Sequence, residues 1–266
     1  MRRSPVVANQ FYPGDPLILK NALADLIPQE AAAKKNALAV IAPHAGYIYS
    51  GAVAGETFAA VNVPEDVIIL GPNHHGHGAP IALMAEGDWD MPLGRVPINS
   101  ELANLITDPV IDRDELAHRF EHSLEVQVPF LQMLQKNLSI VPLVISHVPY
   151  SHCQAAGKAI AKAIKQYQKA VLLVASTDMT HYEPRFSASQ KDHLALEHVK
   201  NLDPRGLYDT VLGQRISMCG IMPTTIVLLA ALELGARHAQ LIRYTDSGET
   251  SGDTDHVVGY AGLVVY

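Results

Sequence analysis

The sequence predicts a single α/β domain built on a central, mostly parallel and partly mixed sheet with helices on both faces. Three observations carry this. Short runs rich in Val, Ile, Leu and Ala occur at Ala37 to Ala42, Val67 to Leu70, Ser139 to Ile145 and Ala170 to Ala175, the composition of strands buried on both faces. Helical patterns alternate with these runs, as in βαβ units. The last two strands are joined by a polar loop instead of a helix, so part of the sheet is expected to be antiparallel. At 266 residues, 48% hydrophobic and 18% charged, the chain has enough apolar surface for one sizeable core. No break in composition divides it, so residues 1–266 read as one domain.

The elements follow in order. Phe11-Tyr12-Pro13-Gly14-Asp15 is a turn cluster. Pro16 to Leu26 has helical spacing, with Leu17, Leu19, Leu23 and Leu26 apolar. The first strand is Leu38 to Ala42, and Gly46 to Ala60 reads as a loop leading into a helix. The second strand is Val67 to Leu70. Gly76 to Pro97, rich in Gly and Pro and holding the single tryptophan, Trp89, reads as an irregular excursion or short hairpin. A helix at Ser100 to Leu105 precedes a polar segment that ends at His122. Ser123 is placed to cap a helix through Gln135, kinked at Pro129. The third strand is Ile140 to Ile145 and the fourth Val171 to Ala175, with a helix at Ser151 to Tyr167 between them. Helices at Ser187 to Asn201, Pro204 to Leu212 and Pro223 to Leu234 follow. A strand at Gln240 to Tyr244, a polar loop at Thr245 to Asp255 and a strand at Val257 to Val265 close the chain.

Composition excludes several classes. A net charge of −7 and the lack of any long Lys/Arg cluster argue against a nucleic-acid partner. Two cysteines, Cys153 and Cys219, cannot make a disulfide framework and point to a reduced, cytoplasmic setting. Met1-Arg2-Arg3 resembles the start of a signal peptide, but Asn9, Gln10 and Pro13 interrupt any apolar run after it. No stretch of about 18 apolar residues is present, so no membrane span is expected.

Chemistry concentrates where the apolar runs end. The runs close on His44, on His74 and His75, on His147, and on Asp178 and His181. In open α/β sheets ligands bind outside the carboxyl ends of the strands. Imidazoles delivered repeatedly to that edge point to one shared metal or acid–base site. Adjacent His74 and His75 point in different directions if extended, so one can bind a metal while the other supports it or meets substrate. Asp178 lies three residues before His181, a spacing that lets the carboxylate fix the imidazole tautomer of a general base. Cys219 precedes a helix whose dipole favours the thiolate, a metal ligand or nucleophile. His118-Arg119-Phe120-Glu121-His122 matches the H-x-x-E-H pattern of inverzincin metalloproteases, which requires a continuous helix. The cap at Ser123 favours instead a helix that starts after His122, with His122 and Glu125 reaching the site from its end.

Taken together, Ile41-Ala42-Pro43-His44-Ala45-Gly46-Tyr47, Leu70-Gly71-Pro72-Asn73-His74-His75, Glu121-His122-Ser123-Leu124-Glu125, the run from Ser176 to His181, Cys219-Gly220 and Gln10-Phe11-Tyr12-Pro13-Gly14 resemble the Memo-like family, whose bacterial and archaeal members are also called AmmeMemoRadiSam system protein B. The resemblance spans essentially the whole chain. It implies a fold similar to class III extradiol ring-cleaving dioxygenases, which use non-haem Fe(II). Carried over motif by motif, it implies His44, His74 and Cys219 as metal ligands and His181 as the acid–base residue, with Asp178 beside it. Tyr47, His75, His122 and Glu125 would line the pocket. Cys219 stands where the dioxygenases carry a carboxylate, and a thiolate makes the site softer and more tolerant of copper or zinc.

The expected function is that of a metal-dependent oxidoreductase holding one divalent or redox metal, Fe(II) first and copper or zinc as alternatives. Its ligand would be a small molecule or peptide, and the chain would assemble as a homo-oligomer or with an accessory protein. The same cleft also admits a non-catalytic metal- or peptide-binding accessory protein, or a zinc-dependent hydrolase.

Overall fold

The computed structural model describes residues 2–29 and 33–266, so Met1 of the basic triplet lies outside the described residues. In chain order the strands are β1 (Arg2–Arg3), β2 (Ala39–Ala42), β3 (Asp66–Pro72), β4 (Ile81–Leu83), β5 (Asp88–Met91), β6 (Gly94–Pro97), β7 (Asp112–Arg113), β8 (Ser139–Ile145), β9 (Val171–Ser176), β10 (His181–Glu183), β11 (Ala239–Asp246) and β12 (Val257–Val265). The helices are α1 (Pro16–Leu26), α2 (Tyr47–Ala59), α3 (Ser100–Leu105), α4 (Val128–Leu134), α5 (Tyr150–Tyr167), α6 (Arg185–Lys200), α7 (Pro204–Gly213), α8 (Ile221–Glu233) and the single turn α9 (Gly248–Ser251).

The large sheet has the order β10-β12-β2-β9-β3-β8-β4-β7, with β11 paired to β12. Its centre, β2-β9-β3-β8, is parallel. Its flanks are mixed, because β12 runs antiparallel to β2 and β11, and β4 antiparallel to β8. The parallel centre and the antiparallel closing pair are the arrangement expected from the sequence.

Burial on both faces explains why the central strands read as unbroken apolar runs. Ile68 and Leu70 of β3, Leu173 and Ala175 of β9, and Ile41 of β2 face one core, packed with α5, α6, α7 and α8. Val67, Ile69, Leu172, Val174 and Val40 face the other, packed with α1, α2 and α4. Alternate residues therefore serve different cores, and no polar position interrupts the strand.

Three local readings are corrected. The stretch from Gly46 is helix almost from its first residue, with Gly46 at the N-cap. Ser123 is not a cap: it is buried, and its hydroxyl donates to the Pro72 carbonyl at 3.2 Å. A 3₁₀ turn at Glu125–Gln127 leads into α4 instead, and Pro129 sits in that helix's first turn, where its missing N–H costs nothing, so it makes no kink. The segment around His118 forms turns, not the helix that H-x-x-E-H requires. Asp114 accepts from the Leu116 N–H at 2.6 Å and holds this turn.

His118 itself is buried and donates from Nε2 to the Ala82 carbonyl at 3.0 Å, while Nδ1 has no partner among the described residues. Burial pulls its pKa down from 6.5 to about 4. The unfolded chain thus binds this proton more tightly, and stability falls as pH drops from about 6.5 towards 4. In metal-free protein, His118→Gln is expected to remove up to about 3 kcal/mol of that pH-dependent loss. Urea unfolding across that range checks it, and a slope identical to wild type contradicts it.

Candidate metal centre

The parallel centre of the sheet brings the carboxyl ends of β2, β9 and β3 to one edge, and the chain leaves them through His44, Asp178 and His74. His147, after β8, is exposed and takes no part in the cluster formed there. Three groups converge: one ligating atom each of His44, His74 and His122 lies within 4.8 Å of the others. Ring centroids are 5.3 Å apart for His44 and His74, 5.6 Å for His44 and His122, and 4.6 Å for His74 and His122.

Hydrogen bonds fix which nitrogen His44 and His74 offer. The Ser176 hydroxyl donates its one hydrogen to the Ser123 carbonyl at 2.7 Å and accepts from Gln127 Nε2 at 2.8 Å. The 2.9 Å contact between Ser176 Oγ and His44 Nδ1 therefore needs the hydrogen on Nδ1, which leaves the lone pair on Nε2. His74 donates its peptide N–H to Glu121 Oε2 at 2.7 Å and Nδ1–H to Oε1 at 2.9 Å, again leaving Nε2 free. His122 turns Nδ1 towards the same carboxylate, at 3.5 Å. A carboxylate behind an imidazole is the usual support of a metal-binding histidine.

The charge states suit this role. Burial, followed by the His122 and His74 charges, holds His44 well below its ordinary value. Burial pulls His122 down to about 4. Both rings are neutral near pH 7, the form that ligates. Burial alone would raise Glu121, but hydrogen bonds from His74 and the Ser123 N–H overcome it and hold the carboxyl well below the usual range. The donor set is therefore chemically suited to a first-row divalent ion.

Cys219 meets the cluster through His44, with Sγ 3.3 Å from Nε2. Gly220 makes this approach possible, since a Cβ there would lie 2.5 Å from the Ser176 carbonyl oxygen. The sequence reading favoured a thiolate at the start of α8. Burial, then the Asp178 charge, push the thiol up instead, outweighing the hydrogen bonds it accepts.

Asp178 is buried and accepts from the His44 N–H at 2.8 Å. Burial raises its pKa to about 6 against that hydrogen bond. It does not orient His181, as the three-residue spacing suggested. The His181 ring donates Nδ1–H to the Ser217 carbonyl at 2.8 Å, and its peptide N–H donates to Ser217 Oγ at 2.8 Å. A carbonyl only accepts, so His181 keeps its basic lone pair on Nε2.

Two expected pocket residues lie elsewhere. Glu125 is fully buried in an ion pair with Arg3 at 2.8 Å and accepts from Tyr12 OH at 2.7 Å. Tyr47 is buried, packs on Phe130 and donates to the Val126 carbonyl at 2.8 Å. His122 does line the cavity, and His75 is exposed beside it. The cavity measures about 540 Å³ and is open to solvent. His44, His74, His122, Asp178 and His181 form its polar wall, and Phe11, Tyr49, Tyr182 and Tyr260 its aromatic one.

Sequence reasoning missed the supports. Glu121 appeared in the rejected H-x-x-E-H pattern and in the motif Glu121 to Glu125, but no role was read for it, although its place beside His122 was a usable signal. Ser176, Gln127 and Ser217 carry no local signal, since Ser176 and Ser217 each hold an imidazole distant in the chain and Gln127 acts through Ser176.

A family model described as Memo-like protein matches residues 3–264. MEMO1 family proteins of Methanosarcina barkeri and Methanopyrus kandleri are 38% and 40% identical, each over 99% of both chains. One from Saccharolobus solfataricus is 41% identical over 98% of both. Among solved structures, an uncharacterized protein of Escherichia coli K12 shares the fold, with a TM-score of 0.54 at 16% identity, covering 83% of this chain and 98% of that one. A match of this extent, with His44, His74, Asp178, His181 and Cys219 gathered at one sheet edge, establishes that the chain belongs to the Memo-like family.

Proposed function

We propose that the chain is a metal-dependent oxidoreductase that holds one ion at His44, His74 and His122 and acts on a small-molecule or peptide ligand in the adjoining cavity. The observation that carries this reading is the convergence of three imidazoles, two of them with hydrogen-bonded supports behind them. Cys219 stands beside His44 Nε2 as a fourth, softer donor, the position the family resemblance gives to a metal ligand. Fe(II) is the first choice of ion in this reading, and copper or zinc suit the same donors. A redox metal bound there would exchange electrons with the ligand and polarise it.

The chain's own residues supply the rest. His181 Nε2 takes a proton from a ligand seated in the cavity, and the Ser217 carbonyl holds the ring in the tautomer this needs. Asp178 fixes the His44 backbone and adds a buried acidic group. The aromatic wall provides apolar surface for the ligand.

Oxygen uptake by Fe(II)-loaded protein against a panel of catechols and thiols tests the reading. Uptake is expected in the wild type and is expected to disappear in His181→Ala with the metal content unchanged. Tight copper binding without uptake would favour a binding or accessory protein using the same cleft.

A further inference from the structure

The cavity beside the imidazole cluster has a wall whose charges narrow its ligand. Among the described residues, no Lys or Arg lines it. The arginines on α6 and β11 are engaged elsewhere: both Nε and an Nη of Arg185 meet Asp246 at 2.7 Å, and Arg243 pairs with Glu56 and Glu249. The wall carries two carboxylates, Asp178, which is buried, and Asp253, which is exposed. The Asp255 and His256 N–H groups donate to Asp253 and hold its carboxyl below the usual range. Its basic neighbour is His256, with Nδ1 at 3.7 Å, an imidazole and not a permanent cation.

The aromatic wall is held in place against ordinary preference. Tyr182 has a φ of 57°, a left-handed conformation that a bulky residue adopts only under strain. It sits at a register shift between β10 and β12. Neighbours in a regular strand face opposite ways, and the shift lets His181 and Tyr182 both line the cavity. Tyr260 lines it too and is only 2% exposed, yet its hydroxyl has no hydrogen-bond partner among the described residues. Burial, then the Asp178 charge, Tyr49 and Tyr182, hold that phenol well above its ordinary value, so these groups gather around one buried hydroxyl.

A cation is attracted to aromatic faces and to carboxylates, and an anion to neither. We propose that the ligand of this cavity carries a protonated primary amine, seated among the Tyr49, Tyr182 and Tyr260 rings against Asp253, with the Tyr260 oxygen accepting one of its hydrogens. This names the ligand class of the centre proposed above and rests on that reading. The ion proposed at the imidazoles meets a different part of the same ligand. A small-molecule amine and a lysine side chain share this chemistry.

Benzylamine, benzyl alcohol and benzoate are titrated at pH 7 into the full-length protein, metal-free and zinc-loaded, with binding read by ligand-observed NMR. Benzylamine is expected to bind roughly tenfold more tightly than the alcohol of the same shape in both forms. Asp253→Asn and Tyr182→Leu are each expected to cut that ratio to about threefold or less, and Tyr182→Phe to keep it. Benzylamine bound no more tightly than the alcohol, or benzoate bound more tightly than benzylamine by the metal-free protein, would overturn the proposal. So would a preference confined to the zinc-loaded protein, which is amine ligation of the metal. Nα-acetyl-lysine methylamide binding more tightly than benzylamine assigns the amine to a peptide, and the reverse assigns it to a small molecule. Zinc bound without an amine preference fails this inference alone, whereas the preference without zinc binding fails the metal centre alone.

Discussion

Glu125→Ala is expected to destabilise the protein by about 3–5 kcal/mol, the cost of leaving one member of a buried ion pair without its partner. Arg3 is 3% exposed and Glu125 fully buried, and they meet at 2.8 Å. The carboxylate also accepts from the Val6 and Val7 N–H groups and from Tyr12 OH. Arg3 stacks its guanidinium over Trp89 at 4.2 Å and donates to the carbonyls of His118 and Glu121. Removing Glu125 therefore strands a buried cation and frees the loop that carries Glu121 and His122. Arg3→Met/Glu125→Leu, which removes both charges, is expected to recover only the part of the loss due to the stranded cation, because the Val6 and Val7 N–H groups and the Tyr12 hydroxyl still lose their acceptor. Urea unfolding of Glu125→Ala and of the double variant measures this, and a loss under about 1 kcal/mol in Glu125→Ala contradicts it.

Glu121→Gln is expected to weaken metal binding by about 10–100-fold while the fold is kept. The carboxylate accepts the N–H and the Nδ1–H of His74 and lies 3.5 Å from His122 Nδ1, so it sets two of the three imidazoles. An amide of the same size offers one acceptor oxygen and no charge. His74 then loses the partner that fixes its hydrogen on Nδ1, and both rings become poorer donors. Competition titration with a zinc indicator reads the affinity, and circular dichroism confirms the fold. Unchanged affinity in a folded variant contradicts the role given to Glu121.

What the sequence made legible divides along physical lines. β3, β8 and β9 stood out because both of their faces are buried and the apolar run is local. The helix after β8 ends at Tyr167 as its spacing predicts, and β12 occupies the predicted residues. His44 and His74 were legible because they follow such strands directly. The loop from His118 to Gln127 was not, because its conformation is imposed from far away in the chain. Arg3 ties down its carbonyls, and Ser176 and Gln127 hydrogen-bond across it. Glu125 read as a pocket residue because it is close to His122 in sequence, yet it turns to Arg3. The same remoteness hid Ser217, which holds His181 in place of Asp178. The Cys219 thiol misled for a different reason, since burial outweighs the helix dipole there.

The His44, His74 and His122 cluster is tested most directly by metal content. Wild type and His44→Ala/His74→Ala are purified side by side without chelator and analysed by inductively coupled plasma mass spectrometry. About one ion per chain is expected in the wild type and less than roughly a tenth of that in the double variant. Equal metal content in the two proteins would contradict the assignment of this cluster as the metal site.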